Sequence, residues 1–250
     1  MKRPLAVPLA PRAHFESNFL KQVVCEFRFP TLFELESSKP PVAFAGAIRK
    51  EYPIYELQKD IKIDTGDGTA NIGNAHSFKA RKGHWSLMLR AAALSLEATR
   101  YESFAAFEER IAFVLRAAER VIDSDFFTRV GLRYINNVPW QSDDPLPWMN
   151  PELTGPLTAG LFGDVDEYVQ RIRGTTDVGG FLFRHRLLPA LDPAKQMYEL
   201  DLDFYAEDVT VGDALATVRR LHDLEYSLFQ WALGPGAKAN LGPSLITTLS

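Results

Sequence analysis

Three arginines are the residues of this sequence whose type and spacing best suit binding of an anion. Arg129 and Arg133 stand four residues apart in the segment RVGLRYINNV, and Arg28 lies beside Glu26 in an alternating segment near the N-terminus. Residues at even spacing in a strand share one face, so Arg129 and Arg133 point the same way. A guanidinium fork binds phosphate or carboxylate through two hydrogen bonds. The three arginines therefore predict an anion-binding sheet face, and the other interpretation is a structural network of arginine and glutamate.

A second group of charges lies in the segments GGFLFRHRLLP and KQMYELDLDFYAED, which read as two antiparallel strands. One register opposes Arg186 to Glu199 and Arg184 to Asp201. The same register brings the apolar residues of both strands onto one face, which makes cross-strand pairing the economical interpretation. We therefore predict that these four residues form structural ion pairs.

The acids of this second strand also raise the question of a metal. Glu199, Asp201 and Asp203 recur at every second position, and carboxylates arranged in this way can hold Mg²⁺ or Ca²⁺. Arg171 and Arg173 share a face of a further strand and could flank the same acids. Because neighbouring arginines can neutralise these three carboxylates, the sequence predicts no metal site here.

Other catalytic signals are weak. The five histidines show no ligand spacing, and the sequence has no P-loop, GxSxG or CxxC motif. Cys25 occupies an inward position of an alternating segment, which predicts an inert core thiol. Whether the chain is an enzyme stays open. We favour a non-enzymatic protein and expect no cofactor.

Composition limits the class of partner. The chain of 250 residues carries a net charge of −4, and it contains 46% hydrophobic residues. Residues 126–250 hold 10 basic against 16 acidic side chains, which makes nucleic acid an unlikely partner. A single cysteine allows no internal disulfide, the N-terminal segment is too interrupted by proline for a signal peptide, and no apolar run reaches membrane length. We expect a cytoplasmic protein.

Hydrophobic periodicity predicts an α+β fold with mostly antiparallel sheet and long helices on one side. A turn at Lys82-Gly83 should pair Phe78 with Leu87, and the second strand of that hairpin should continue to about residue 98. Ser103 should cap a helix, and Thr210 with Asp213 should begin another. The predicted strands are 21–29, 54–65, 126–138 and 166–176. The predicted hairpins are 76–98 and 179–206, and the predicted helices are 41–53, 104–122 and 211–233.

The order of strand, hairpin and helix occurs twice, so the sequence predicts two similar halves. The first half spans 1–138 and the second spans 157–234. Five prolines between them predict a connector at 139–156 without a helix or central strand. The Gly- and Pro-rich tail at 235–250 should be partly disordered or loosely docked.

Four segments carry a family resemblance. VVCEFRFP, HWSLMLRAAALSLEATRYESFAAFEERI, RVGLRYINNV and LHDLEYSLFQWAL occur in this order. The chain resembles, over residues 5–233, a sporadically distributed bacterial family of uncharacterised conserved proteins of about this length. The resemblance implies no reaction, cofactor or catalytic residue. The patchy distribution of that family is similar to that of mobile-element or defence-associated genes.

The function predicted first is a binding or interaction protein, with another protein as its partner, in a defence or toxin-neutralising setting. A homodimer is compatible with this interpretation. The alternative is an enzyme or sensor of a phosphorylated small molecule or nucleotide that uses Arg28, Arg129 and Arg133.

Overall fold

A computed structural model describes residues 3–63, 70–140, 146–190, 192, 195–242 and 245–246. Parts of three predicted segments lie outside the described residues. They are residues 64–65 of the predicted strand, 141–145 of the predicted connector, and 243–244 and 247–250 of the predicted tail. The described chain contains the strands and helices that follow.

The strands are β1 (Ala13–His14), β2 (Leu20–Arg28), β3 (Ile54–Ile63), β4 (Ala70–Lys79), β5 (Trp85–Arg90), β6 (Ala93–Ala98), β7 (Phe126–Pro139), β8 (Tyr168–Thr175), β9 (Gly180–Leu187), β10 (Met197–Thr210) and β11 (Leu245–Ile246). The helices are α1 (Val42–Ile48), α2 (Phe104–Ala118), α3 (Pro151–Thr158), α4 (Ala214–Ala232) and α5 (Pro235–Asn240), with a short 3-10 helix at Phe33–Glu36.

Nine of the strands form one antiparallel sheet in the order β3-β4-β5-β6-β2-β7-β10-β9-β8, and β1 pairs with β11. The predicted α+β class with antiparallel sheet is thus confirmed. The chain divides into two compact units: unit I comprises 22–132 and 206–218, and unit II comprises 1–21, 133–205 and 219–250. The domains predicted above are continuous segments of the chain, whereas each unit combines several segments. Their boundaries stay predictions.

The core of unit I follows the alternation of its strands. Val23, Cys25 and Phe27 of β2 are at most 2% exposed, and Phe107 of α2 is fully buried. Cys25 is therefore a core thiol, as its inward position predicts. Ser103 caps α2 by accepting a 3.2 Å hydrogen bond from the backbone N–H of Ala106.

The prediction that the second strand of the hairpin at 76–98 continues to residue 98 is wrong, because the chain reverses after Arg90. Arg90 pairs with Ala93, and β5 and β6 form their own hairpin. The buried residues Leu87 and Leu89 are odd-numbered, whereas Leu94 and Leu96 are even-numbered. A straight strand would turn these two pairs to opposite faces, so the change of parity marks the turn.

The hairpin of β4 and β5 keeps the predicted register, in which Phe78 faces Leu87. The connection between Ala80 and Trp85 has four residues, so the predicted two-residue turn is too short. The N–H of Gly83 bonds the carbonyl of Ala80, and Gly83 has a φ of +69°, which only glycine adopts without strain.

The capping motif predicted before α4 is present. The Thr210 hydroxyl donates to an Asp213 carboxylate oxygen at 2.7 Å and accepts from the Asp213 N–H at 3.2 Å. The helix begins at Ala214 rather than 211, because residues 211–213 form the turn that this motif closes.

Two predictions about proline-rich segments are wrong. The predicted connector contains α3, since Pro151 stands in the first turn, where no N–H is needed, and Asn150 accepts a hydrogen bond from the Glu152 N–H at 3.0 Å. The predicted tail contains α5, which also begins at a proline. Ala237 and Leu241 are at most 1% exposed, so the described start of the tail packs into unit II.

Candidate functional site

The charged face of unit II consists of Arg133 on β7, Glu199 and Asp201 on β10, and Arg184 and Arg186 on β9. Strand alternation sends the apolar residues of β9 and β10 to the opposite face, where Phe183 and Leu202 pair across the strands. The predicted register is confirmed, since Arg186 faces Glu199 and Arg184 faces Asp201.

Asp201 is the centre of this face. Arg133 donates to both of its carboxylate oxygens, from Nε at 2.7 Å and from a terminal nitrogen at 2.8 Å. Arg184 donates a third hydrogen bond at 2.7 Å. The Asp201 side chain is only 7% exposed, so two guanidinium groups neutralise a carboxylate that has little water around it.

Glu199 forms the second predicted ion pair, with Arg186 Nε at 2.7 Å. Its side chain is 4% exposed. These charge-assisted hydrogen bonds stabilise the cationic forms, so the pKa of Arg186 rises through Glu199 and the pKa of Arg133 rises through Asp201. Glu199 and Asp201 of the predicted carboxylate row are therefore bound by arginine. Among the described residues, no cluster of His, Cys, Asp and Glu is arranged to hold a metal ion.

The three arginines of the predicted anion site all contact carboxylates. In unit I, Arg28 bonds Glu26 at 2.7 Å, and a terminal nitrogen of Arg129 lies 3.6 Å from the same Glu26 oxygen. Arg133 is held by Asp201, as described above. These carboxylates would compete with an external anion for the three guanidinium groups, which makes the structural-network interpretation the more favourable one.

Gly131, which separates the two arginines of β7, leaves space for the Arg129 side chain. A Cβ atom at this position would lie 2.4 Å from a terminal nitrogen of Arg129. The Arg129 side chain thus folds over Gly131, in the space that any other residue would fill. This arrangement lets Arg129, whose side chain is 18% exposed, reach Glu26.

β8 adds two arginines to the charged face of unit II. Arg171 lies opposite Arg184, and Arg173 lies opposite Leu182, so both arginines extend the charged face by one strand. The sequence interpretation that they flank the acids of β10 is wrong, because Asp201 and Glu199 are satisfied by the nearer arginines of β9 and β7. Arg171 and Arg173 are exposed, and within the described chain neither forms an ion pair.

β8 is also an edge strand, with β9 as its one neighbour among the described strands. The N–H of Thr176 bonds the carbonyl of Gly179, which fixes the alternation of the antiparallel ladder. Val169, Arg171 and Arg173 consequently direct their backbone N–H and C=O groups away from β9. At Thr175, the next position of this outward series, the carbonyl accepts from the Leu5 N–H at 2.8 Å.

Apolar side chains accompany these charges. Val169 and Ile172 of β8 are 49% and 43% exposed, and Leu161 and Phe162 in the preceding segment are 80% and 65% exposed. Sequence reasoning missed Val169 as a site residue. The signal that could have found it is the lack of a buried alternate face in YVQRIRGT, in which five consecutive residues are exposed.

Two buried histidines are closed off from this surface. His185 bonds the Tyr198 hydroxyl at 2.6 Å, and burial lowers the pKa of His185 to about 4. His222 bonds the Tyr134 hydroxyl at 3.1 Å, and burial together with Arg12 lowers the pKa of His222 to about 3. Both rings are therefore neutral at pH 7 and serve the core of unit II.

A scan of protein-family models and a search of curated proteins returned no match to this chain. The resemblance to a family of uncharacterised bacterial proteins therefore stays a prediction. In the described part of the chain, no helix is long and apolar enough to cross a membrane.

Proposed function

We propose that this chain is a non-enzymatic binding protein that takes up an extended acidic segment of a partner protein along the open edge of β8. The observation that carries this proposal is the combination of outward backbone groups on β8 with the charges of Arg171 and Arg173, which form no ion pair with the residues that the structure describes. Main-chain hydrogen bonds supply affinity when a peptide adds to a sheet edge, and side-chain contacts supply specificity.

The charges of β8 define the sequence that fits. The side chains of Val169, Arg171 and Arg173 lie on one face of the strand, so an added strand would meet them at alternate positions. Carboxylates opposite Arg171 and Arg173 would form cross-strand pairs, each contributing about 0.2–1 kcal/mol. An apolar residue would meet Val169. The proposed partner segment thus carries two acidic residues and one apolar residue at alternate positions, all on one face of the added strand.

A second copy of this chain meets like charges in two antiparallel registers at the β8 edge. Two β8 strands paired antiparallel around Arg171 would place the two Arg171 side chains opposite each other. A register centred on Ile172 would place Arg171 of each copy opposite Arg173 of the other copy. Like charges directly opposite destabilise a strand pair. A homodimer through β8 in either of these two registers is therefore disfavoured.

The other elements of the proposal come from the sequence. They are a cytoplasmic location, a bacterial origin with a defence or toxin-neutralising role, and two structurally similar halves with long helices on one side of the sheet. An enzyme or sensor that binds a phosphorylated molecule through Arg28, Arg129 and Arg133 is the less favoured function, because carboxylates already hold these arginines.

Binding of a fluorescein-labelled peptide of alternating glutamate and valine tests the proposal, with an alternating lysine and valine peptide as the charge control. Fluorescence anisotropy should show binding of the acidic peptide alone. Replacing Arg171 and Arg173 by glutamate should weaken that binding by about tenfold or more, since two favourable pairs become repulsive.

The matched control is the Arg116→Glu/Arg120→Glu variant, which changes the charge equally on exposed residues of unit I. It should retain the affinity of the unaltered protein for the acidic peptide. Equal losses in both double variants would reduce the interaction to net charge and contradict a site at β8. Preference for the basic peptide would contradict it as well.

A further inference from the structure

Unit I contains a cleft whose lining is mostly basic. Its volume is about 250 Å³, and the turn between β4 and β5 forms one wall with Arg81, Lys82 and His84. Arg100, just after β6, and Arg110 of α2 contribute further cationic groups. The cleft thus collects four arginine and lysine side chains from three separate parts of the chain.

Arg110 is fixed in place within this cleft. It donates to Glu51 at 3.0 Å, and its guanidinium carbon lies 5.3 Å from the centre of the Trp85 ring and 5.8 Å from that of Tyr52. A guanidinium held by a carboxylate and two aromatic rings loses little further freedom when a ligand arrives.

The remaining cations have no such partner. Arg81, Lys82 and Arg100 form no ion pair within the described chain, and Arg81, Lys82 and Arg100 are all exposed. Glu102 is the one other carboxylate of the lining. Three available cations against one available carboxylate leave an excess of positive charge, whereas the arginines of β2 and β7 are already neutralised.

We infer that this cleft binds the phosphate group of a small phosphorylated molecule. Arginine and lysine side chains that converge from several directions match the oxygens of a phosphate. The volume lies just below the range of about 300–1,000 Å³ for drug-sized ligands, which favours a compact molecule.

The aromatic wall disfavours recognition of a nucleobase. The Trp85 ring is stacked with Phe107 at a centroid distance of 5.8 Å, and Arg110 lies over it. Because these neighbours already contact the ring, Trp85 is a poor platform for a base. The phosphate group is therefore the recognised part of the ligand.

Isothermal titration calorimetry with inorganic pyrophosphate at low ionic strength tests this inference. The unaltered protein should bind with a Kd below about 1 mM. The Arg81→Ala/Arg100→Ala variant should bind at least about tenfold more weakly, because each arginine supplies charge-assisted hydrogen bonds. Both residues are exposed, so the fold should survive their replacement, and the thermal unfolding midpoint checks this directly.

The matched control is the Arg116→Ala/Arg120→Ala variant, which removes the same charge from the end of α2 and the turn after it, outside the cleft lining. Its Kd for pyrophosphate should stay within about twofold of that of the unaltered protein. Absence of binding by the unaltered protein, or equal weakening in both double variants, would overturn the inference. Glucose 6-phosphate against glucose then tests the phosphate requirement, and equal binding of the two sugars would also overturn it. None of these outcomes depends on the β8 edge, since Arg171 and Arg173 remain unaltered.

Discussion

Replacing Asp201 by asparagine is expected to lower the free energy of unfolding by about 3 kcal/mol. The carboxylate is 7% exposed and accepts three hydrogen bonds from Arg133 and Arg184, so asparagine would leave two guanidinium groups without their counter-charge. We take the lower end of the usual range for broken buried ion pairs, because Arg133 and Arg184 are 41% and 39% exposed and can regain water.

Chemical denaturation at pH 7 measures this effect, with Glu26→Gln as the control. Glu26 is 23% exposed and its hydrogen-bonded partner Arg28 is 54% exposed, whereas Arg129 lies 3.6 Å away, beyond hydrogen-bond length. The control should therefore cost less than about 1 kcal/mol. Similar small losses in the two variants would show that Asp201 is not the centre of an energetically important network.

The second large effect is a loss of stability in mild acid through His185 and His222. The pKa values in the folded protein are about 4 and about 3, whereas an unfolded histidine has a pKa of about 6.5. The unfolded chain therefore binds protons first as the pH falls below about 6.5. The stabilisation is present above this pH, and it declines as the pH falls towards the folded pKa values. At pH 5 each histidine should account for about 2 kcal/mol.

Single His185→Gln and His222→Gln variants separate the two contributions. Each substitution changes packing equally at both pH values, so the change in unfolding free energy between pH 7.5 and pH 5 isolates the proton. Each variant should lose about 2 kcal/mol less than the unaltered protein over this range. An unchanged loss in both variants would mean that neither ring is buried in its neutral form.

Glu225 acts in the opposite direction on this pH dependence. Burial, and secondarily the Asp203 carboxylate, raises the pKa of Glu225 well above its usual value. Its folded form therefore holds a proton that the unfolded chain releases above about pH 4.5, and stability from this group increases as the pH falls. The comparison of variants remains valid because Glu225 contributes equally to each protein.

The ion pairs of β9 and β10 could be predicted from the sequence because two patterns agree there. The register that pairs Arg184 with Asp201 also pairs Phe183 with Leu202, and a slip by one residue would break both. Local signals of this kind also predicted the Ser103 cap. They involve residues close in sequence, so no knowledge of strand order is needed.

The partners of Arg129 and Arg133 could not be predicted, because they depend on which strands flank β7. β7 lies between β2 and β10, so its two arginines have carboxylates from distant parts of the chain within reach. Strand order is a property of the whole fold, and the periodicity of one strand does not contain it. The identity of β8 as an edge strand escaped prediction for the same reason.

The most direct test of binding at β8 is backbone amide hydrogen exchange with and without saturating glutamate–valine peptide. Strand addition at β8 should slow exchange at Val169, Arg171 and Arg173, because their N–H groups gain partners. The N–H groups of Gln170 and Ile172 face β9, so their exchange should change little. Binding of the peptide without slower exchange at these three amides would contradict strand addition at the β8 edge.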